Sequence, residues 1–135
     1  MTDDTGGDDV RRGEQVGALP FARYVECGGT IYVSGVVHRL QQQQLGKTDV
    51  QAETRCVLDK IRSLLGELGM GLEDVVKTTV YLTDMASYGD MNCGYRQAFG
   101  EVLPARSCVG VSRLPDPEAH VEIEVIARRR GPLND

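Results

Sequence analysis

Three charged side chains near the C-terminal end of the chain are of types that can bind an acid and move a proton: Arg106, Glu122 and Glu124. A guanidinium donates two parallel hydrogen bonds to a carboxylate and stays charged at ordinary pH. A carboxylate in a partly dry cleft can have its pKa raised towards neutrality and then transfer protons. The residues alone leave simpler roles open, because a strand arginine is often an ion-pair partner and strand glutamates are often solvated or salt-bridged.

The cysteines and histidines form no recognisable metal motif. Cys27, Cys56, Cys93 and Cys108 stand far apart without a CxxC pair, and the chain has only two histidines. We therefore expect no metal site. A disulfide framework is possible by count, but the absence of a secretory signal favours reduced thiols that pack as small hydrophobic side chains.

The charge balance argues against two classes of protein. The 135 residues carry 15 basic and 20 acidic side chains, which gives a formal net charge of −5. A protein that holds nucleic acid through its phosphates needs a basic surface, and no apolar run approaches the roughly 20 residues that span a bilayer. The N-terminal residues also lack the basic start and apolar stretch of a signal peptide. We expect a cytoplasmic protein that binds neither nucleic acid nor membrane.

The length and the 41% hydrophobic content predict a single domain. Residues 1–14 are rich in Asp, Gly, Thr and Arg without periodicity, so we expect a disordered tail there. The domain is expected over 15–130, with a short C-terminal tail over 131–135.

The first structured segment has the pattern of a β-hairpin. Residues 22–26 and 30–34 are strand-like runs, and Gly28-Gly29 between them supplies the positive φ that a tight turn needs. The polar stretch 39–47, with four consecutive glutamines, has the composition of a loop.

The most regular pattern predicts a helix over 49–68. Thr48 is a candidate N-cap with Gln51 three residues on, and Gly69 follows the last turn. The apolar residues recur with a helical period. They are Val50, Val57, Ile61, Leu64, Leu65 and Leu68.

A strand, a second helix and two more strands follow. The β-branched run 74–83 predicts a strand whose alternation places one set of side chains on a common face: Val76, Thr78, Val80 and Leu82. The helix, over about 86–99, carries an apolar stripe of Tyr88, Met91, Tyr95, Ala98 and Phe99. Strands are expected at 107–111 and 120–127, and the second of these alternates clearly.

The order β-β-α-β-α-β-β predicts an α+β fold in which both helices cover one face of a mostly antiparallel sheet. Val, Ile and Cys side chains on both strand faces would leave apolar surface exposed in a monomer, and such patches usually mark interfaces. We therefore predict oligomerisation through the open sheet face.

Several motifs resemble those of the reactive-intermediate deaminase family (Rid, YjgF-like, also called the L-PSP endoribonuclease family). The resemblance covers residues 18–128, and its most specific part is the pair Pro104-Ala105-Arg106-Ser107 and Val121-Glu122-Ile123-Glu124. Further matching segments are Ile31-Tyr32-Val33-Ser34-Gly35, residues 74–84 and Arg113-Leu114-Pro115.

The resemblance implies a chorismate-mutase-like fold assembled as a homotrimer with clefts between neighbouring subunits. It also implies hydrolysis of reactive enamines and imines, such as 2-aminoacrylate, to 2-oxo acids and ammonia, without a metal or organic cofactor. The partners of the chain would then be a small-molecule carboxylate substrate and further copies of itself.

The family positions also imply roles for single residues. Arg106 would bind the substrate carboxylate, and Glu122 would handle water and protons, a choice between the two glutamates that spacing does not make. Ser34 would present its hydroxyl or nearby backbone N–H groups, and Asn92 would lend an amide. Cys108, two residues beyond Arg106 and so on the same strand side, would line the cleft without acting as a nucleophile.

Phe21 and Arg23 depart from the family pattern. Many members carry a tyrosine at the first position and a glutamine at the second, so this chain loses a hydroxyl and gains a cation. In an extended segment the two side chains point the same way, and Arg23 could then add a second cation that favours a dicarboxylate substrate. An Arg23 that extends into solvent is an equally good interpretation.

These departures leave two alternatives to a general enamine and imine deaminase. One is a specialised deaminase of a biosynthetic or catabolic pathway, and the other is a non-catalytic trimer that keeps Arg106 as a carboxylate anchor. The net charge of −5 and the lack of a basic stripe count against ribonuclease activity.

Overall fold

The computed structural model describes residues 9–40 and 49–131. Six strands form one sheet, and two helices pack against one of its faces. The strands are β1 (Val10–Arg12), β2 (Tyr24–Cys27), β3 (Thr30–Val36), β4 (Val75–Leu82), β5 (Ala105–Gly110) and β6 (Val121–Arg128), and the helices are α1 (Val50–Glu67) and α2 (Tyr88–Phe99). In space the strands follow the order β1-β2-β3-β6-β4-β5, and only β4 and β5 are parallel neighbours. Among the described helices, none combines the length and apolarity that a membrane crossing requires.

The predicted α+β arrangement with a mostly antiparallel sheet is confirmed, with one additional strand. The expectation that residues 1–14 form a disordered tail is wrong for Val10–Arg12, because these residues form β1 at the edge of the sheet. All three side chains of β1 are exposed. Backbone pairing with β2 therefore orders this segment, and Arg11 stands opposite Glu26 across the pair.

The hairpin between β2 and β3 turns at the predicted glycines. Gly28 and Gly29 have φ values of 58° and 85°, which other residues rarely adopt. The loop predicted over 39–47 falls almost entirely outside the described residues.

Helix α1 agrees with the predicted helix to within one residue at each end. Its N-cap is Asp49, whose carboxylate accepts a first-turn backbone N–H at 3.0 Å. The cap is thus one residue later than the expected Thr48, which lies outside the described residues. At the other end, the N–H of Met70 donates to the carbonyl of Leu65 at 2.8 Å, which closes the helix at Gly69 as predicted.

The core lies between the helices and the sheet. The prediction that Val76 shares the buried face of β4 is wrong, because a register shift between Val75 and Lys77 buries Val75 and leaves Val76 50% exposed. From Thr78 onward the predicted alternation is confirmed. Fully buried large side chains include Ile31, Leu58, Ile61, Leu65, Leu82, Met91 and Ile123.

A buried carboxylate joins α1 to the start of β6. Glu53 is 1% exposed, and its Oε2 accepts the backbone N–H groups of His120 at 2.7 Å and Val121 at 3.2 Å. Its Oε1 lies 2.9 Å from Nδ1 of His120. These contacts fix the position of the strand that carries Glu122.

Replacing Glu53 with alanine should destabilise the protein by about 1–3 kcal/mol, because two backbone N–H groups lose their acceptor where water has little access. The matched control is Glu67→Ala on the same helix, which removes an exposed glutamate and should cost less than about 0.5 kcal/mol. Chemical denaturation measures both. Equal stability of the two variants would contradict the anchoring role of Glu53.

Candidate active site

The parallel pairing of β5 with β4 determines where Arg106 lies. Residues paired across neighbouring strands project to the same face, and Arg106 is paired with Thr78. Thr78 is 0% exposed and faces the helices. Arg106 and Cys108 therefore lie on the helix-covered face of the sheet, at its β5 edge.

Helix α2 surrounds the guanidinium of Arg106 with aromatic and sulfur atoms. Nη2 donates to the hydroxyl of Tyr88 at 3.0 Å, and Nη1 lies 3.7 Å from the sulfur of Met91. The guanidinium carbon is 4.8 Å from the ring centre of Tyr95 and 5.6 Å from that of Tyr88. Aromatic faces attract a cation at these distances, so α2 holds the charge in place.

The ring of Tyr95 is held in place by a buried hydrogen bond. Its hydroxyl is hydrogen-bonded to Oγ1 of Thr78 at 2.7 Å, and its side chain is 5% exposed. Burial raises the pKa of Tyr95, which keeps the phenol neutral. Arg106 therefore lies over the ring of a buried tyrosine that is hydrogen-bonded to Thr78.

Within residues 9–40 and 49–131, Arg106 has no carboxylate partner. Its guanidinium contacts the Tyr88 hydroxyl, two aromatic rings and the sulfur of Met91. None of these groups carries a negative charge, so they do not neutralise the guanidinium. A planar guanidinium in this state can donate two hydrogen bonds to an external carboxylate.

Tyr88, Met91 and Tyr95 are site residues that the sequence pattern assigned to a core stripe. Met91 and Tyr95 are buried as expected, whereas Tyr88 is 41% exposed. The available signal was their spacing of three and four residues, which places them on one helix face. Asn92, four residues after Tyr88, lies beside the same stripe and is half-buried.

Cys108 contributes a neutral thiol to this side of the sheet. Burial raises its pKa, and the nearby charge of Arg106 only partly opposes the effect. A thiol with a raised pKa is a poor nucleophile at neutral pH. In the described ranges, no group of three or more Cys, His, Asp or Glu side chains is arranged to hold a metal ion.

Glu122 lies on the opposite, open face of the sheet. It is paired with Tyr81 of β4, which is three residues from Thr78 and so projects to the other side. Burial raises the pKa of Glu122, and the like charge of Glu124 raises it further. A carboxyl group of this kind is suited to proton transfer nearer neutral pH.

The backbone of Gly35 packs directly against the Glu122 carboxylate. A Cβ added at Gly35 would overlap the carboxylate oxygen, so any larger residue there would displace it. The preceding residue, Ser34, donates its hydroxyl hydrogen to the carbonyl of Ala22 at 2.6 Å, and its N–H donates to the carbonyl of Arg23 at 3.0 Å. Ser34 thus fixes the segment before β2 and keeps acceptor capacity on its oxygen.

One chain does not bring all of the expected site residues together. Arg106, Cys108 and Asn92 lie on the helix-covered side of the sheet near β5. Glu122 and Gly35 lie together on the open side, and the sheet separates the two groups.

A family model described as Endoribonuclease L-PSP matches residues 14–129, which is most of the chain. The chain belongs to this family. Among curated relatives of this L-PSP family member, a RutC family protein of Pyrococcus horikoshii is 38% identical over 109 residues, covering 80% of this chain and 86% of the relative. The 2-iminobutanoate/2-iminopropanoate deaminase of Escherichia coli K12 is 36% identical over 114 residues, covering 82% and 88%.

Solved structures agree with this L-PSP family assignment and confirm the resemblance to YjgF-like proteins. The crystal structure of a YjgF family member from Neisseria meningitidis has a TM-score of 0.79 and 29% identity, and covers 93% of this chain and 99% of that chain. A member of the same family from Mycobacterium tuberculosis has a TM-score of 0.76 and 30% identity, with coverage of 90% and 100%.

In this L-PSP family member, Arg23 is paired within its own chain. Its Nη1 lies 2.8 Å from Oε2 of Glu14 and 3.4 Å from Oε1 of Glu67. Residues 21–23 form a bend around an isolated bridge at Ala22, so strand alternation does not align Arg23 with Phe21. The cation that Arg23 could add to the cleft is therefore paired with two carboxylates of its own chain, and Phe21 is 43% exposed.

Glu122→Gln should raise the melting temperature at about pH 7 and leave it unchanged below about pH 3.5. A raised pKa means that protonation of Glu122 stabilises the folded protein, and this stabilisation is lost as the pH rises through the raised pKa. Glutamine is neutral at every pH and escapes that loss. Thermal melts across this range, with exposed Glu101→Gln as control, measure the effect. A Glu122→Gln protein that is less stable at neutral pH would contradict it.

Proposed function

We propose that the protein is a hydrolytic deaminase of 2-imino acids and their enamine tautomers, which releases a 2-oxo acid and ammonia. The observation that carries the proposal is the Arg106 guanidinium, which is fixed by α2 and has no carboxylate partner in the described chain. The 36% identity to the 2-iminobutanoate/2-iminopropanoate deaminase of Escherichia coli supports the same substrate class.

The proposed reaction uses one group that binds the substrate and one group that transfers protons. Arg106 binds the substrate carboxylate, which is adjacent to the electrophilic carbon of the C=N bond. Glu122 takes a proton from a water molecule as that water adds to the carbon of the protonated imine, which gives a carbinolamine, and it then returns this proton to the nitrogen. As the C–N bond breaks and the carbonyl forms, the hydroxyl hydrogen passes to Glu122, and the released ammonia carries that proton away as ammonium. For an enamine, Glu122 in its protonated form first delivers a proton to the terminal carbon. No cofactor is required by this sequence of steps.

We propose further that the active site is completed by a second copy of the chain, in a homotrimer with three clefts. In one chain the sheet separates Arg106 from Glu122, so a single substrate cannot contact both. A cleft between neighbours would join Arg106, Cys108 and Asn92 of one subunit with Glu122, Ser34 and Phe21 of the next. The exposed side chains of the open face, including Tyr32 at 50% and Val109 at 43%, are available for such an assembly.

Arg106→Ala should lower kcat/KM for 2-iminopropanoate by about 30- to 4,000-fold, which corresponds to the 2–5 kcal/mol typical of truncating one partner of a buried charge pair. The imine is generated in the assay by an amino acid oxidase, and ammonia release is followed with wild type, Arg106→Ala and Arg106→Lys. Arg62→Ala, which removes an exposed arginine paired with Asp59, is the matched control.

The same assay separates the deaminase from a carboxylate-binding protein without turnover. Ammonia release that stops in Arg106→Ala but continues in Arg62→Ala supports the proposal. Wild-type protein that binds 2-oxo acids yet releases no ammonia above the uncatalysed rate from several imines would replace it with the binding function.

Mixed trimers test the shared site. Co-expressed Arg106→Ala and Glu122→Gln subunits should regain about one quarter of wild-type activity, because about one site in four then receives both intact residues from different subunits. Each variant alone should be nearly inactive. A mixture no more active than the average of the two variants would show that the two residues act within one chain or not at all.

A further inference from the structure

The hydroxyl of Tyr88 carries a hydrogen that no contact in the described chain uses. Its oxygen accepts a hydrogen bond from Nη2 of Arg106 at 3.0 Å. A guanidinium has no acceptor, so the hydroxyl hydrogen is not directed to Arg106. Within residues 9–40 and 49–131 this hydroxyl makes no second hydrogen bond.

The two tyrosines that flank Arg106 differ in what their hydroxyls do. Tyr95 is 5% exposed, and its hydroxyl is shared with Thr78 at 2.7 Å. Tyr88 is 41% exposed, so a molecule in solution can reach its side chain. The hydroxyl of Tyr95 is therefore committed to the core, whereas the exposed hydroxyl of Tyr88 keeps a hydrogen that it can donate to a ligand.

Arg106 keeps further hydrogen-bond donors that a ligand can use. Two of the five guanidinium N–H groups are directed at Tyr88 and Met91, and the other three have no acceptor in the part of the chain that the structure describes. A carboxylate oxygen that accepts from Nη2 comes within reach of the Tyr88 hydroxyl, because Nη2 and that hydroxyl are themselves 3.0 Å apart. A carboxylate has lone pairs enough for donors from both residues.

We propose that Tyr88 is a substrate-binding residue whose hydroxyl donates its hydrogen to the carboxylate that Arg106 binds. The inference deepens the proposed function and rests on it, because the ligand of Arg106 is taken to be a 2-imino or 2-oxo carboxylate. Tyr88 then has two tasks: its oxygen orients the guanidinium, and its hydrogen adds a donor to the anion site.

Tyr88→Phe tests this inference, because it keeps the ring over Arg106 and removes only the hydroxyl. Calorimetry with 2-oxobutanoate should give a Kd about tenfold weaker than that of wild type, which equals about 1.4 kcal/mol. The KM for the imine should rise by a similar factor while kcat stays within about twofold, since the lost bond is made equally in the ground and transition states. The melting temperature should not change.

Two further measurements make the result decisive. The neutral ligand 2-oxobutanamide should bind wild type and Tyr88→Phe equally weakly, because it offers no anion. Tyr88→Leu, which also removes the ring, should bind 2-oxobutanoate more weakly than Tyr88→Phe does. A Tyr88→Phe protein with Kd and KM within about twofold of wild type, or with a loss confined to kcat, would overturn the inference.

Failure of the proposed function would look different. Wild type that binds 2-oxobutanoate through Arg106 but releases no ammonia from imines would overturn the deaminase, and the Kd ratio would still support or overturn the role of Tyr88. Wild type that neither binds 2-oxobutanoate nor releases ammonia from imines would overturn both.

Discussion

The contact between the Arg106 guanidinium and the Tyr95 ring is the interaction on which the candidate site depends. The hydroxyl of Tyr95 is bonded to Thr78, and Thr78 is the residue paired with Arg106 across the parallel strands β4 and β5. Arg106, Tyr95 and Thr78 are therefore each in contact or paired with the other two. Because Thr78 and Tyr95 are buried, the backbone of Arg106 cannot shift without disturbing the core. The positive charge is thus preorganised for a ligand before any ligand arrives.

The sheet also separates two groups that would otherwise oppose each other's chemistry. A guanidinium close to a carboxyl group lowers its pKa, whereas proton transfer near neutral pH requires a raised one. Glu122 lies across the sheet from Arg106, and burial together with Glu124 raises its pKa. In the proposed assembly the substrate carboxylate stands between the two groups and neutralises the guanidinium. A fold that divides the site between subunits can therefore keep both groups in their useful charge states.

The sequence predicts this fold well wherever one element determines its own pattern. The period of α1, the glycine turn of the hairpin and the alternation of β6 are local, and the structure confirms them. The face on which Val76 lies depends on a bulge that strand pairing sets, and β1 is ordered by backbone pairing with β2 rather than by buried side chains. Neither feature leaves a local pattern in the sequence. In the site, too, the sequence predicts what depends on a local pattern and misses contacts between segments that are far apart in the chain. Alternation puts Arg106 and Cys108 on one side, but the contacts of Tyr88 with Arg106 and of Arg23 with Glu67 join segments 18 and 44 residues apart.

A crystal structure of the protein with 2-oxobutanoate, the product expected from 2-iminobutanoate, tests the central claim most directly. The account predicts a cleft between two subunits in which the ligand carboxylate accepts hydrogen bonds from Arg106 and Glu122 of the neighbouring subunit faces the adjacent carbonyl carbon. A ligand bound away from Arg106, or an assembly in which Arg106 faces bulk solvent with no second subunit beside it, would contradict the account.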